Sequence, residues 1–166
     1  RDCLEVDLRV HGKTLTLLVN HLKAQDSKPE GSRARRRVQA EKVAELARVA
    51  SKAGKLPIVL GDLNTDPVRT PADKSLEPLL KNPLFQDPFD ALPLQDRWTH
   101  FYESKSSVSR LDYILAHKSL AISKTQIVRK GLSTKCKQYA GPRFPDIGAA
   151  HTEASDHCPT AIVLEV

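Results

Sequence analysis

The chain has 166 residues, 40% of them hydrophobic, and a formal net charge of +6. This length favours one domain with an ordinary globular core. The charge favours anionic partners, nucleic acid ahead of lipid head groups, although a basic surface without such a role stays open. Three cysteines without a CxxC pair argue against a cysteine zinc site and a disulfide-stapled small domain, and no apolar run approaches the roughly 18 to 20 residues of a membrane span.

The first 60 residues predict two strands, a helix and a third strand. LEVDLRV (residues 4–10) alternates apolar and polar residues, which predicts a strand with one solvent-facing side; HGK predicts a hairpin loop and TLTLLVNHL the returning strand. Residues 32–53 are predicted to be helical, with Ser32 as N-cap and Gly54 as the stop. The strand at 57–60 is fully apolar, which places it inside a sheet and indicates an α/β arrangement.

The rest of the chain predicts short elements separated by loops. Six prolines between residues 65 and 97 favour loops, apart from a short helix around residues 74–81. RWTHFY and RLDYILA predict strands, AISKTQIV predicts a weaker one, and TAIVLEV predicts a strand that ends the chain. Residues 130–154 predict a long basic loop.

The stretch PIVLGDLNTDP (residues 57–67) places polar side chains directly after the buried strand. In open α/β sheets the carboxyl ends of strands face the crevice where ligands bind. In an extended chain Asp62 and Asn64 would point to the same side of that crevice, and Gly61 would permit a close backbone approach. A turn in which Asp62 and Asn64 bond to nearby backbone explains the same residues equally well.

Three other stretches carry polar residues in unusual places. His21 ends an apolar strand, where a lone histidine is more often structural. Asp112 lies inside a predicted strand, where a carboxylate is disfavoured unless it has a partner. Asp156 and His157 are adjacent just before the last strand, so in an extended chain their side chains would diverge and serve two different ligands.

Taken in order, NHLK, GDLN, RLDY and SDHCP resemble the endonuclease/exonuclease/phosphatase superfamily, which includes apurinic endonucleases and pancreatic-type deoxyribonucleases. The resemblance extends from about Leu4 to Val166. It implies an α/β fold that is part of a four-layer α/β sandwich, in which two packed β-sheets are flanked by helices. It also implies that residues 1–166 are the C-terminal portion of a single domain of this family. We therefore expect a missing N-terminal half of the same protein, which in the family supplies an asparagine and a glutamate as the main metal ligands.

The resemblance also implies a role for each matching residue. The implied roles are: Asp62, positioning and deprotonating the attacking water; Asn64, donating to a phosphate oxygen; His157, facing the scissile phosphate; Asp112, fixing the tautomer and charge of His157; Asp156, a metal-side ligand; and His21, a second histidine that contacts phosphate. These roles suit phosphodiester hydrolysis, which needs a positioned water, a base, and donors where negative charge builds up. An Asp–His pair is the usual means of orienting an imidazole.

The predicted function is therefore metal-dependent, nuclease-like hydrolysis of phosphodiester bonds. Mg²⁺ (or Mn²⁺) is the expected cofactor, because Mg²⁺ keeps several waters and needs only one or two protein carboxylates. One alternative is a phosphodiesterase or phosphatase that acts on lipid head groups or phosphorylated small molecules. A second alternative is a non-catalytic module that binds phosphate or nucleic acid.

Two basic segments are weaker candidates for phosphate contact. One lies in the first turn of the predicted helix, where positive charge opposes the helix dipole, although a solvated helix end is as good an explanation. It comprises Arg33, Arg35, Arg36 and Arg37. The other is the long loop, whose basic and aromatic residues suit a nucleic-acid backbone and its bases, although some long loops are merely mobile. It carries Lys130, Lys135, Lys137, Arg143, Tyr139 and Phe144. Trp98 and Tyr113 are expected in the core, and Cys158 is expected to be a buried small apolar residue.

Overall fold

The computed structural model describes residues 3–165, so the last residue of TAIVLEV, Val166, lies outside the described part. The strands are β1 (Leu4–Val10), β2 (Lys13–His21), β3 (Leu56–Asp62), β4 (Phe85–Gln86), β5 (His100–Tyr102), β6 (Ser107–Ser109), β7 (Asp112–His117), β8 (Ala121–Ile127) and β9 (Thr160–Glu165). The helices are α1 (Pro29–Lys52) and α2 (Glu77–Leu80), with single 3₁₀ turns at Pro88–Ala91, Leu94–Asp96, Glu103–Lys105 and Ala150–Thr152.

The largest sheet has five strands in the order β1-β2-β3-β7-β4. The first two strands form the predicted hairpin, and α1 connects β2 to β3, which run parallel. On its other side β3 pairs with β7 in antiparallel orientation. The apolar strand therefore lies in the middle of the sheet, as predicted, and the mixed α/β class is confirmed. β5 with β6 and β8 with β9 form two further sheets of two strands each.

The central sheet is covered on both faces. On one face, Leu18 of β2 and Val59 of β3 pack against Val43 and Ala47 of α1. The opposite face, which includes Ile58, packs against apolar residues of the two-stranded β8–β9 sheet. Residues of β9 are alternately half-buried and exposed, in keeping with one covered side. In β3 the residues Pro57, Ile58 and Val59 are buried, whereas Gly61 and Asp62 at its carboxyl end are partly exposed.

Helix α1 begins three residues earlier than predicted. Ser32 is not its N-cap, because the helix starts at Pro29, and a proline in the first turn needs no hydrogen-bond acceptor for a backbone N–H. The Ser32 hydroxyl is buried and donates to Asp26 Oδ1 over 2.7 Å. The predicted end is confirmed, since Gly54 follows the helix in the left-handed region with φ of +76°.

Arg36 is fully buried, which excludes it from the predicted phosphate contacts at the start of α1. Its guanidinium donates to Asp73 Oδ2 over 2.5 Å, to Ser75 Oγ over 2.9 Å and to the Lys23 carbonyl over 2.7 Å. Thr65 also donates to Asp73 Oδ2, over 3.1 Å. This buried ionic cluster, defined as Arg36, Asp73, Ser75 and Thr65, joins the helix to the loop that follows β3.

Arg143 stabilises the long basic loop from inside. Its guanidinium donates to the carbonyl oxygens of Leu132, Ser133, Cys136 and Tyr139. An arginine that is used in this way orders the loop and is not free to track a nucleic-acid backbone.

Trp98, Tyr113 and Cys158 are buried, as predicted. Within residues 3–165 no helix is both long enough and apolar enough to cross a membrane.

Candidate active site

The candidate site lies where three neighbouring strands of the central sheet place polar side chains in one row. The strand register sets His21 of β2 opposite Asp62 of β3, and Asp62 opposite Asp112 of β7. Gly61 makes this register possible, because a Cβ at that position would lie 2.0 Å from the Asn20 carbonyl oxygen. Its φ of +120° is also a conformation that side chains other than glycine rarely adopt. The predicted close backbone approach is therefore confirmed.

Asp62 and Asn64 share the same space, although the chain between them is not extended as predicted. Asn64 adopts a left-handed conformation with φ of +57°. Its backbone N–H donates to Asp62 Oδ1 over 2.9 Å, and its Nδ2 donates to Asp62 Oδ2 over 3.0 Å and to the Leu22 carbonyl over 3.1 Å. The local turn that the sequence allowed is therefore present, and it holds the Asp62 carboxylate at the end of β3.

Asp62 is set up to hold a proton more tightly than an ordinary carboxylate. Burial raises its pKa, the Asn64 backbone N–H acts in the opposite direction, and the Asp112 charge raises the pKa further. His21 lies close, with Nε2 3.5 Å from Asp62 Oδ2, and its side chain is 59% exposed. His21 therefore lies beside Asp62 and reaches solvent.

His157 and Asp112 form a hydrogen-bonded pair across a long sequence separation. His157 Nδ1 lies 2.9 Å from Asp112 Oδ2. That hydrogen bond raises the pKa of His157, with burial acting in the opposite direction. Because Nδ1 faces the carboxylate, Nε2 is the nitrogen left to meet a ligand, and no residue in the described range hydrogen-bonds to it.

Asp156 and His157 do not diverge, which corrects the prediction from the extended chain. Both approach His100, a residue that the sequence did not single out. His100 Nε2 lies 3.5 Å from Asp156 Oδ2, and the rings of His100 and His157 are 4.7 Å apart between centroids. The neighbours of His100 in RWTHFY, Thr99 and Phe101, are buried. Because successive side chains of a strand point to opposite sides, His100 points away from the side on which these two lie. Nothing in the sequence indicated what it would meet there.

His100, Asp156 and His157 form the one group of metal-ligating side chains found within the described part of the chain, with one ligand atom from each lying within 4.8 Å of the others. Mg²⁺ prefers oxygen ligands, whereas this group offers two imidazole nitrogens and one carboxylate. Asp62 is not one of the three residues of this group. The group therefore suits a divalent metal with nitrogen affinity better than the predicted Mg²⁺.

The family model described as "Endonuclease/Exonuclease/phosphatase family" matches residues 3–157. The chain belongs to this family. The match includes all six residues for which the four motifs predicted roles, from His21 to His157. No curated protein sequence matches the chain.

Solved structures of the family share the fold at low sequence identity. The catalytic domain of Xenopus laevis APE2 is 21% identical, with a TM-score of 0.63, and the match covers 92% of this chain and 50% of that one. A humanized D. rerio TDP2 is 15% identical, with a TM-score of 0.64 and coverage of 98% and 59%. The Bacteroides thetaiotaomicron mannosyl-6-phosphatase Bt3783 is 18% identical, with a TM-score of 0.58 and coverage of 94% and 53%. The chain thus spans between half and three fifths of the length of these structures.

Proposed function

We propose that the chain takes part in the hydrolysis of phosphoester bonds, with water as the nucleophile. The proposed reacting groups are the row of His21, Asp62 and Asp112, together with His157, which is bonded to Asp112. The observation that carries this proposal is the convergence of a carboxylate and a carboxylate-bound imidazole at adjacent strand ends. Hydrolysis of a phosphoester needs these two kinds of group together: a base for the water and a donor for the developing charge.

Asp62 is the proposed general base. A base is most effective when its pKa lies near the working pH, and burial raises the pKa of Asp62 in that direction. Asn64 holds the carboxylate by two hydrogen bonds, and its Nδ2 gives its other hydrogen to the Leu22 carbonyl. Donation from Asn64 to a phosphate oxygen would therefore require one of these bonds to break, so we assign Asn64 first to positioning Asp62.

His157 is the proposed donor to the scissile phosphate. Asp112 binds Nδ1, which directs Nε2 outward and raises the pKa of the ring, so that a larger fraction of His157 is protonated near neutral pH. A protonated Nε2 donates to a phosphate oxygen or to the leaving group. His21 lies on the far side of Asp62 and is exposed enough to contact a second phosphate oxygen.

A divalent metal is part of the proposal, and Asp156 is its proposed carboxylate ligand. Such an ion neutralises negative charge on the phosphoryl oxygens when it is bound. We also propose the four-layer sandwich, with residues 1–166 as the C-terminal portion of one domain. The first half of that domain is proposed to supply further metal ligands. The length of the family's solved structures, about twice the matched part, supports it.

Nucleic acid is the proposed substrate class, because a net charge of +6 favours a polyanion. A phosphorylated small molecule or lipid head group is the second candidate. It is favoured by the similar structure that is named as a mannosyl-6-phosphatase. A non-catalytic module that only binds phosphate is the third.

Hydrolysis assays with the full-length gene product separate these candidates. Duplex DNA, single-stranded DNA, RNA and an aryl phosphodiester are tested with Mg²⁺ and with Mn²⁺. We expect turnover that falls by about 10²- to 10⁴-fold in His157→Ala. The matched control is His117→Ala, since His117 ends β7 at the opposite end from Asp112 and bonds locally to Ser119. Anion binding without turnover in any metal would contradict the proposal and favour the non-catalytic module.

Residues 1–166 are assayed beside the full-length product. Turnover by the longer product alone is expected if a first half supplies metal ligands. Equal turnover by the two proteins would contradict the predicted missing half and leave the hydrolytic proposal intact.

A further inference from the structure

The backbone places His100 and His157 side by side. They face each other in an antiparallel β-bridge. The two hydrogen bonds of this bridge flank the pair: Phe101 N–H donates to the Asp156 carbonyl over 2.9 Å and Cys158 N–H to the Thr99 carbonyl over 2.6 Å. Side chains in such a non-hydrogen-bonded pair come closer together than in any other antiparallel position. The approach of the two rings is therefore built into the backbone.

Both imidazoles are held by their Nδ1 atoms. His157 Nδ1 lies 2.9 Å from Asp112 Oδ2, and His100 Nδ1 lies 3.3 Å from Ser109 Oγ on the adjacent strand β6. An imidazole that binds a metal through Nε2 almost always uses Nδ1 in this way, and the outer partner fixes the orientation of the ring. The two histidines thus have the outer hydrogen bonds of metal ligands.

The spacing of the three ligand atoms fits a transition metal. In a tetrahedral zinc site with bonds of roughly 2.1 Å, neighbouring ligand atoms lie about 3.4 Å apart. His100 Nε2 and Asp156 Oδ2 are 3.5 Å apart, and all three ligand atoms lie within 4.8 Å of one another. We propose that His100, Asp156 and His157 form a binding site for a divalent transition metal, with Zn²⁺ as the best fit and one coordination position left open.

The choice of Zn²⁺ over Mg²⁺ follows from the ligand atoms. Imidazole nitrogen suits zinc and its neighbours in the first transition row, whereas Mg²⁺ is bound through oxygen. Three protein ligands are also the number typical of zinc sites that keep a position for water or substrate. Asp156, with a side chain 60% exposed, leaves that position open to solvent.

Zn²⁺ at this site would occupy the Nε2 of His157. This consequence rests on the proposed function, in which the same nitrogen donates to the scissile phosphate. We therefore expect Zn²⁺ to inhibit Mg²⁺-supported hydrolysis at the concentrations at which it fills the site. Binding itself does not depend on hydrolysis and is measured separately.

The test uses the full-length gene product without an affinity tag, freed of metal by a chelator. Isothermal titration calorimetry measures Zn²⁺ binding, and the visible absorption of Co²⁺ reports the coordination geometry of the same site. The variants are His100→Ala, His100→Asn, which keeps a polar side chain should the alanine variant fail to fold, and Ser109→Ala. The matched control is His117→Ala, which removes an imidazole outside the site.

We expect one Zn²⁺ equivalent that the wild type and His117→Ala bind equally. Ser109→Ala should weaken that equivalent by about 10- to 100-fold, as expected for an outer partner. Both His100 variants should weaken it further than Ser109→Ala does and should remove the tetrahedral Co²⁺ absorption. Unchanged Zn²⁺ binding in the His100 variants would overturn the site, as would an absence of Zn²⁺ binding in the wild type.

The hydrolysis arm is read against each variant's own zinc-free rate. Inhibition of the wild type by Zn²⁺, with inhibition shifted to higher Zn²⁺ in His100→Asn, supports the site. Zn²⁺ binding that leaves Mg²⁺-supported turnover unchanged would overturn the inhibitory consequence. A protein that binds Zn²⁺ as described and hydrolyses nothing would contradict the proposed function and still support the metal site.

Discussion

Two groups of ionisable residues join distant segments of this molecule, and they differ in how completely the protein satisfies them. In the buried ionic cluster, the Arg36 and Asp73 side chains are 0% and 3% exposed, and protein groups occupy both ends of the pair. At the candidate site, the His157 and Asp112 side chains are 32% and 19% exposed. There, no residue in the described part of the chain hydrogen-bonds to His157 Nε2, and the Asp156 side chain is 60% exposed.

The difference separates a structural role from a chemical one. A buried pair with all its partners inside the protein holds two segments together and has no atom left for a ligand. A half-buried pair with one fixed and one free nitrogen is oriented and still able to react. Both Arg36 and His157 were predicted from the sequence to contact phosphate, and only burial and partners tell them apart.

The largest expected effect is on turnover at the candidate site. Asp62→Asn removes the proposed base while an amide oxygen can still accept from the Asn64 N–H, so we expect kcat/KM to fall by about 10²- to 10⁴-fold. The thermal midpoint should fall modestly, because the new amide nitrogen cannot accept the hydrogen bond that Asn64 Nδ2 donates to Asp62 Oδ2. The control is Asp146→Asn, which neutralises an exposed loop carboxylate. A variant that keeps wild-type kcat/KM would remove Asp62 from the base's role.

The matching change in the buried ionic cluster should affect the stability of the protein instead of its turnover. Asp73→Asn leaves the Arg36 guanidinium buried without a counter-charge, so we expect the free energy of unfolding to fall by about 3–5 kcal/mol in urea titrations. The folded fraction should hydrolyse substrate at the wild-type rate. If turnover fell as much as in Asp62→Asn, the division between the two groups would be wrong.

Asp112→Asn should change the pKa of His157 at the candidate site and the pH dependence of stability that follows from it. The hydrogen bond to Asp112 raises the pKa of His157 above its ordinary value of 6.5, so the folded protein binds this proton more tightly than the unfolded chain does. The stabilisation from the pair is therefore complete below pH 6.5 and is lost as the pH rises through the folded pKa. In Asp112→Asn the pKa of His157, measured by NMR titration, should fall and this part of the pH dependence of stability should flatten. A pKa that did not move would show that Asp112 does not control the charge of His157.

The smallest effect on stability is expected for a second arginine, which lies beside the buried ionic cluster. Arg33 Nε lies 3.7 Å from Asp73 Oδ2, but its side chain is 41% exposed. Because exposed ion pairs contribute little, Arg33→Ala should change the free energy of unfolding by less than about 1 kcal/mol. A loss comparable to that of Asp73→Asn would mean that exposure does not separate the two arginines.

Local patterns predicted most of the secondary structure, and the family resemblance of the four motifs predicted the site residues. Alternation located the β1–β2 hairpin, the apolar run located β3 in the middle of the sheet, and Gly54 marked the end of α1. His21, Asp62 and Asp112 were predicted as site residues and do lie in one row. The hairpin, the central strand and the helix end depend on turn chemistry and on side-chain periodicity along a few residues, which a sequence displays directly.

Other features were decided only when distant segments packed together. The burial of Arg36 against Asp73 and the meeting of Asp156 and His157 at His100 do not follow from any local pattern. The His100–His157 contact depends on the register of a single β-bridge between segments far apart in sequence. Strand register and burial are properties of the assembled core, because they follow from all the side chains that pack there at once. The sequence by itself therefore determined which residues are available for chemistry, and the tertiary structure decided which of them face one another.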